Sequence, residues 1–128
     1  MSQMRGAVLR QLNKPLSIEN LEVPNISDGQ VLVKLAYSGV CHSQIMEMEG
    51  KRGIDKWVPH LLGHEGSGYV EVTGPYTSKV KVGDRVGISW LKSCGKDAAT
   101  PVYRSHNFSD SVNSGKSTTF SEYTIVPE

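Results

Sequence analysis

Two short segments of the chain concentrate side chains that can do chemistry. Ser38-Gly39-Val40-Cys41-His42-Ser43 sets a thiol, an imidazole and a hydroxyl side by side, and Leu62-Gly63-His64-Glu65-Gly66 adds a second imidazole with a carboxylate beside it. The thiolate is the ligand form of cysteine, and a helix N-terminus lowers a thiol's pKa. A catalytic zinc takes three protein ligands from Cys, His or carboxylate and keeps a fourth position for water or substrate. Cys41 and His64 could supply two of the three, provided that the fold brings together residues 23 positions apart. Taken singly, each has a plainer role open to it. A lone cysteine is most often a small core residue, and a lone histidine a surface or internally satisfied one.

The elements that must position these groups read as short strands. Residues 6–9, 16–23, 30–37, 68–72, 84–88 and 120–126 carry strand patterns, separated by turn signals such as Asp28-Gly29, Gly74-Pro75 and Val82-Gly83. In 30–37 both alternating sets contain apolar residues, so that strand is expected to be buried on both faces. Helical pattern appears once, over residues 43–49, stopped by Gly50. Residues 92–118, rich in Ser, Asn, Asp, Gly and Lys, read as one long loop. Short strands at close spacing with glycine-rich turns predict a mainly β, barrel-like fold with one or more short helices.

Composition narrows the classes. A length of 128 residues suits one domain. The 13 glycines, about 10% of the chain against a usual ~7%, imply many turns and close backbone approaches. Fourteen basic and 13 acidic residues leave a net charge of +1, so no global field favours nucleic acid or an anionic membrane. Two cysteines cannot build a disulfide framework and suggest a reducing compartment. The first residues lack the apolar stretch of a secretory signal, and no apolar run approaches the ~20 residues that span a bilayer. The expectation is a soluble, cytoplasmic protein without nucleic-acid or membrane partners.

Three apparent motifs fail on inspection. Gly115-Lys116-Ser117 lacks the earlier glycine of a phosphate-binding loop and has Asp110 in its place. Gly63 to Gly68 carries its glycines in the reverse order of the dinucleotide fingerprint and follows no expected strand. Asn25-Ile26-Ser27 and Asn107-Phe108-Ser109 fit the glycosylation pattern but carry no weight without a signal peptide.

Four segments in order, Gly39 to Ser43, Leu62 to Gly68, Val82 to Val86 and Thr119 to Val126, together resemble the zinc-dependent medium-chain alcohol dehydrogenase family. The resemblance runs nearly end to end, is weakest over 92–118, and is most specific at Gly63-His64-Glu65. It implies a GroES-like barrel over residues 1–128, acting as the catalytic domain of an oxidoreductase that interconverts alcohols and aldehydes or ketones by hydride transfer. It further implies that Cys41 and His64 ligate a catalytic zinc, with Glu65 behind the metal. Ser43 would bond the substrate oxygen and pass its proton outward. His42 would face the cofactor pyrophosphate, and Trp90 would present its bulk to the substrate pocket, a core role being the alternative. The third zinc ligand and the Rossmann domain that binds NAD or NADP would lie in sequence beyond Glu128, in a parent that is a homodimer or homotetramer, leaving this portion inactive alone.

The sequence departs from the family pattern in three places. Gln44 stands where an aspartate usually bonds the zinc-ligating histidine, so His64 should be a less basic ligand. Met46 replaces a relay histidine. Cys94-Gly95-Lys96 begins like the structural zinc lobe, but Asp97 follows in place of its second cysteine. A structural zinc on Cys94, Asp97 and His106 is therefore not expected. Two other functions stay open: a zinc-free quinone or enone reductase of the same superfamily, and a non-enzymatic GroES-like binding module.

Overall fold

The structure is a computed structural model that describes residues 3–51, 53–89 and 98–128. Trp90, Cys94 and Asp97 lie outside the described residues. Among the described residues, nine strands and one helix follow in the order β1 (Gln3–Leu9), β2 (Ser17–Glu22), β3 (Gln30–Gly39), α1 (His42–Met48), β4 (His60–Leu61), β5 (Glu65–Thr73), β6 (Arg85–Ile88), β7 (Tyr103–Ser105), β8 (Ser111–Val112) and β9 (Tyr123–Pro127). They form a five-stranded sheet, β4-β1-β2-β7-β8, and a four-stranded sheet, β6-β5-β3-β9.

The five-stranded sheet closes on itself. Asn113, next after β8, donates its N–H to Pro59 and accepts from the Leu61 N–H, both at 2.9 Å, so the two edges are joined by backbone bonds. Closure removes the exposed edges that an open sheet would present. Inside lie Met4, Val8, Leu21, Leu61, Tyr103 and Val112, with Leu32 and Ile125 entering from the second sheet. The expected double burial of the third strand holds for its first half. Leu32 joins that core, while Val31 and Val33 pack with Val70 in a second cluster on the other face.

The mainly β barrel with one short helix is thus the architecture observed. One expectation needs correcting. The stretch read as a loop over 92–118 contains β7 and β8, and Tyr103 and Val112 within it are fully buried. Their polar neighbours hid them, because each is a single apolar residue in a strand of two or three. Burial pushes the Tyr103 phenol up to about 12, and its oxygen accepts the Ile125 N–H at 3.1 Å.

Strand β2 holds a second departure from apolar alternation. Ile18 points outward and is 67% exposed, while Glu19 faces the interior at 1%. A buried carboxylate needs a partner. Arg10, just past β1, supplies it with bonds of 2.6 and 2.8 Å to Glu19 and two of 2.8 Å to Asp110. Ser105 on β7 donates a further 2.6 Å bond to Glu19, and the Phe108 ring lies 3.8 Å from the guanidinium carbon. One arginine therefore ties β1 and β2 to the β7–β8 hairpin.

Candidate active site

Antiparallel register brings the two sequence segments together. The β3–β5 ladder ends on the pairs Ser38↔Gly66 and Gly39↔Glu65, so Cys41, two residues past β3, meets His64, one residue before β5. Ligand atoms of Cys41, His64 and Glu65 all lie within 4.8 Å of one another. Glycine makes this close approach feasible at two positions. A Cβ at Gly39 would stand 2.6 Å from a Glu65 carboxylate oxygen. Gly63 has φ +91°, and a Cβ there would collide with the Thr119 hydroxyl and the Phe120 ring. The Thr119 and Phe120 N–H groups both bond the Leu62 carbonyl at 3.1 Å, which fixes the turn that presents His64. The Thr119 hydroxyl also accepts a 2.8 Å bond from Ser38, so the β9 approach braces both segments. Short strands are the reason that this brace is not apparent in the sequence.

Helix α1 begins beside Cys41, its N-cap residue. Gln44, the helix's one buried residue, turns back so that its amide oxygen accepts the Cys41 N–H at 2.8 Å and its amide nitrogen donates to the Ser43 hydroxyl at 3.3 Å. It reciprocates a cap instead of meeting His64. A glutamine is one methylene longer than the aspartate it replaces, which lets it fold onto its own helix start. His64 is left with its Nε2 3.2 Å from the Ser43 Oγ and its Nδ1 buried with no hydrogen-bond partner. The nearest Glu65 oxygen stands 4.0 Å from that nitrogen. Hydrogen bonds from the Ser43 hydroxyl and backbone N–H hold the Cys41 thiol below its usual value, although Glu65 opposes this.

This donor set fits a zinc ion. A thiol biased toward thiolate, an imidazole with a bare buried nitrogen and an adjacent carboxylate are the groups such an ion takes. His42 is exposed at the first helical position, outside the cluster. His106 lies 3.6 Å from Glu22. A cavity of about 870 Å³ has His64, Gly63, Gln44 and Leu62 in one wall, with Trp57 and Ile54 among its other lining residues. Trp57 is a pocket residue that sequence reasoning passed over, being a lone aromatic in a segment with no strand or helix pattern.

Residues 27–128 match the family model described as the alcohol dehydrogenase GroES-like domain. The chain belongs to this family. It is 45% identical over 93 residues to an alcohol dehydrogenase of Geobacillus stearothermophilus, a match covering 72% of this chain and 28% of that protein. The chain thus spans less than a third of that relative. Among solved structures, an alcohol dehydrogenase zinc-binding domain protein from Burkholderia ambifaria superposes with a TM-score of 0.81 at 23% identity, covering 99% of this chain and 40% of its own. A short chain alcohol dehydrogenase from E. coli CFT073, complexed with cofactor NADH, superposes at 0.72 with 28% identity, covering 99% of this chain and 37% of its own. The GroES-like barrel expected from the four segments is the fold these relatives share. Among the described residues, no helix is long and apolar enough to cross a membrane.

Proposed function

We propose that this chain is the GroES-like catalytic part of a zinc-dependent alcohol dehydrogenase that interconverts small alcohols and aldehydes or ketones. NAD or NADP would be held by a nucleotide-binding domain of a longer, homodimeric or homotetrameric polypeptide. The observation that carries this reading is the convergence of Cys41, His64 and Glu65 on one point, with a buried His64 nitrogen lacking a partner. Cys41 and His64 would hold the metal with a third ligand outside this chain, and Glu65 would stand beside them. A zinc held there would supply Lewis acidity toward the alcohol oxygen, and the nicotinamide would be the hydride acceptor.

The remaining work belongs to residues of this chain. Ser43 both accepts and donates, and it sits 3.2 Å from His64, where it could bond a substrate hydroxyl and relay its proton outward, giving up its own hydroxyl proton as it accepts the substrate's. Gln44 holds the Ser43 hydroxyl and the Cys41 backbone together, so the thiol and the hydroxyl keep a fixed relation. The cavity beside His64 receives the hydrocarbon body against Leu61, Leu62 and Trp57. His42, exposed at the start of α1, would face the cofactor's pyrophosphate. A zinc-free reductase or a non-enzymatic module would require no such meeting of thiol, imidazole and carboxylate. In the longer polypeptide, Cys41→Ala or His64→Ala is expected to abolish both bound zinc and alcohol-dependent reduction of NAD(P). Unchanged turnover in either variant overturns the assignment.

A further inference from the structure

A second group of ligating side chains lies in the same cavity. Donor atoms of Glu47 on α1, Asp55 in the α1–β4 connection and His60 on β4 are all within 4.8 Å of one another. His60 is buried at 8% exposure, and its ring is fixed at both ends. Its Nδ1 is 2.9 Å from the Leu61 carbonyl, and its Nε2 is 2.7 Å from an Asp55 oxygen. The carbonyl can only accept, so Nδ1 carries a proton and donates it. Nε2 and the Asp55 oxygen then need a shared positive centre between them, either a proton or a metal. Burial pushes the Asp55 carboxyl up, but bonds from His60 and the Trp57 N–H more than offset it and keep Asp55 anionic. Glu47 completes the group, half-buried on the cavity wall, and its carboxylate has no hydrogen bond or ion pair among the described residues.

We infer that Glu47, Asp55 and His60 form a binding site for a divalent first-row cation, separate from the Cys41–His64 centre. An imidazole whose far nitrogen donates to a backbone carbonyl is oriented as metal-bound histidines are. One nitrogen and two carboxylates suit Zn²⁺ or Mn²⁺. Entry of the ion needs only a small movement. Two donors on a tetrahedral zinc stand about 3.3 Å apart, so the His60–Asp55 contact opens by roughly half an ångström. The ion takes the place between Nε2 and the Asp55 carboxylate. Because the three ligands come from α1, the connection after it and β4, the bound ion clamps the cavity rim to the barrel.

The test uses Zn²⁺ titration by calorimetry, with Co²⁺ as a spectroscopic probe, on the purified protein carrying Cys41→Ser and His64→Ala. That background removes the first centre, so failure there leaves the dehydrogenase reading untouched. The expected result is one bound ion per chain, with a Co²⁺ spectrum that lacks a thiolate charge-transfer band. Glu47→Gln preserves shape on a part-exposed side chain and should weaken binding by about 10- to 100-fold, the range even outer partners of a metal command. His60→Gln should do the same. Absence of all binding in the background overturns the site, and undiminished binding in Glu47→Gln overturns it too, leaving an adventitious ion only.

Discussion

Replacing Arg10 by Met tests the reasoning about the barrel most severely. The methionine keeps much of the aliphatic stem but removes four charge-assisted bonds, two to Glu19 and two to Asp110. Asp110 is partly exposed and can turn to water, so its share is small. Glu19 cannot, because its side chain has no exposure. Removing one partner of a buried pair costs about 3–5 kcal/mol, since the other charge is left without compensation. For a chain of this size that is a fall in Tm of roughly 10–20 °C. The pH dependence gives a sharper reading. In the intact protein burial pushes the Glu19 carboxyl up, yet bonds from Arg10 and Ser105 hold it below its usual 4.5. Its stabilisation is therefore complete above that value and is lost as pH falls through the lowered one. Without Arg10, burial dominates and the folded-state value moves above the unfolded one. The penalty is then greatest at neutral pH and is relieved as Glu19 takes a proton. Urea unfolding followed by circular dichroism, from about pH 8 down to about pH 4, should show the two stability curves converging toward acid. Adding Glu19→Gln to the variant should restore most of the loss at neutral pH. A loss below about 1 kcal/mol, or parallel curves, refutes the account.

Two further outcomes concern the active site. Gly63→Ala should cost about 1–3 kcal/mol from its positive φ alone, with the overlap on Thr119 and Phe120 added. Gly87→Ala, where a new Cβ meets nothing, is the control; equal losses in the two by urea unfolding would sink the assignment of strain to Gly63. Ser43→Ala should raise the Cys41 thiol and slow its alkylation by iodoacetamide near neutral pH, followed by peptide mass spectrometry. An unaltered rate would mean that the hydroxyl does not support the thiolate.

The sequence made the site's members legible because their residue types are rare and their spacing is tight. Cys41, His64 and Glu65 stand where a turn and a strand start meet, and local pattern alone located both segments. The members that brace them were not legible. Thr119 acts through a hydroxyl against Gly63 and a methyl against Gly66, and only tertiary contact marks out that role. Gln44 was expected near His64, but its extra methylene lets it serve the helix start instead. In the fold, long strands with several apolar residues were readable, as in β3. Strands β4, β7 and β8 have two or three residues each, too few to establish a period. Glu19 was unreadable for a different reason. A charged residue on an inner face makes sense only once Arg10, distant in space until β1 and β2 pair, is seen to neutralise it.

The bonds from Asn113 to Pro59 and Leu61 have a consequence for how this cavity can change over evolutionary time. They are staves of the barrel, and residues 113–118 and 60–64, which they anchor, make up much of the cavity lining. A substitution there that reshapes the pocket also loosens the enclosure of Val8, Leu61 and Tyr103. Two rim side chains carry less of that load: Ile54, 97% exposed, and Trp57, 61% exposed, belong to no strand, and Asn113 holds Trp57 only through its backbone carbonyl. Drift in what the cavity admits should therefore be written on the side chains of Ile54 and Trp57, while the barrel side and Asp55, bonded to buried His60, stay nearly constant.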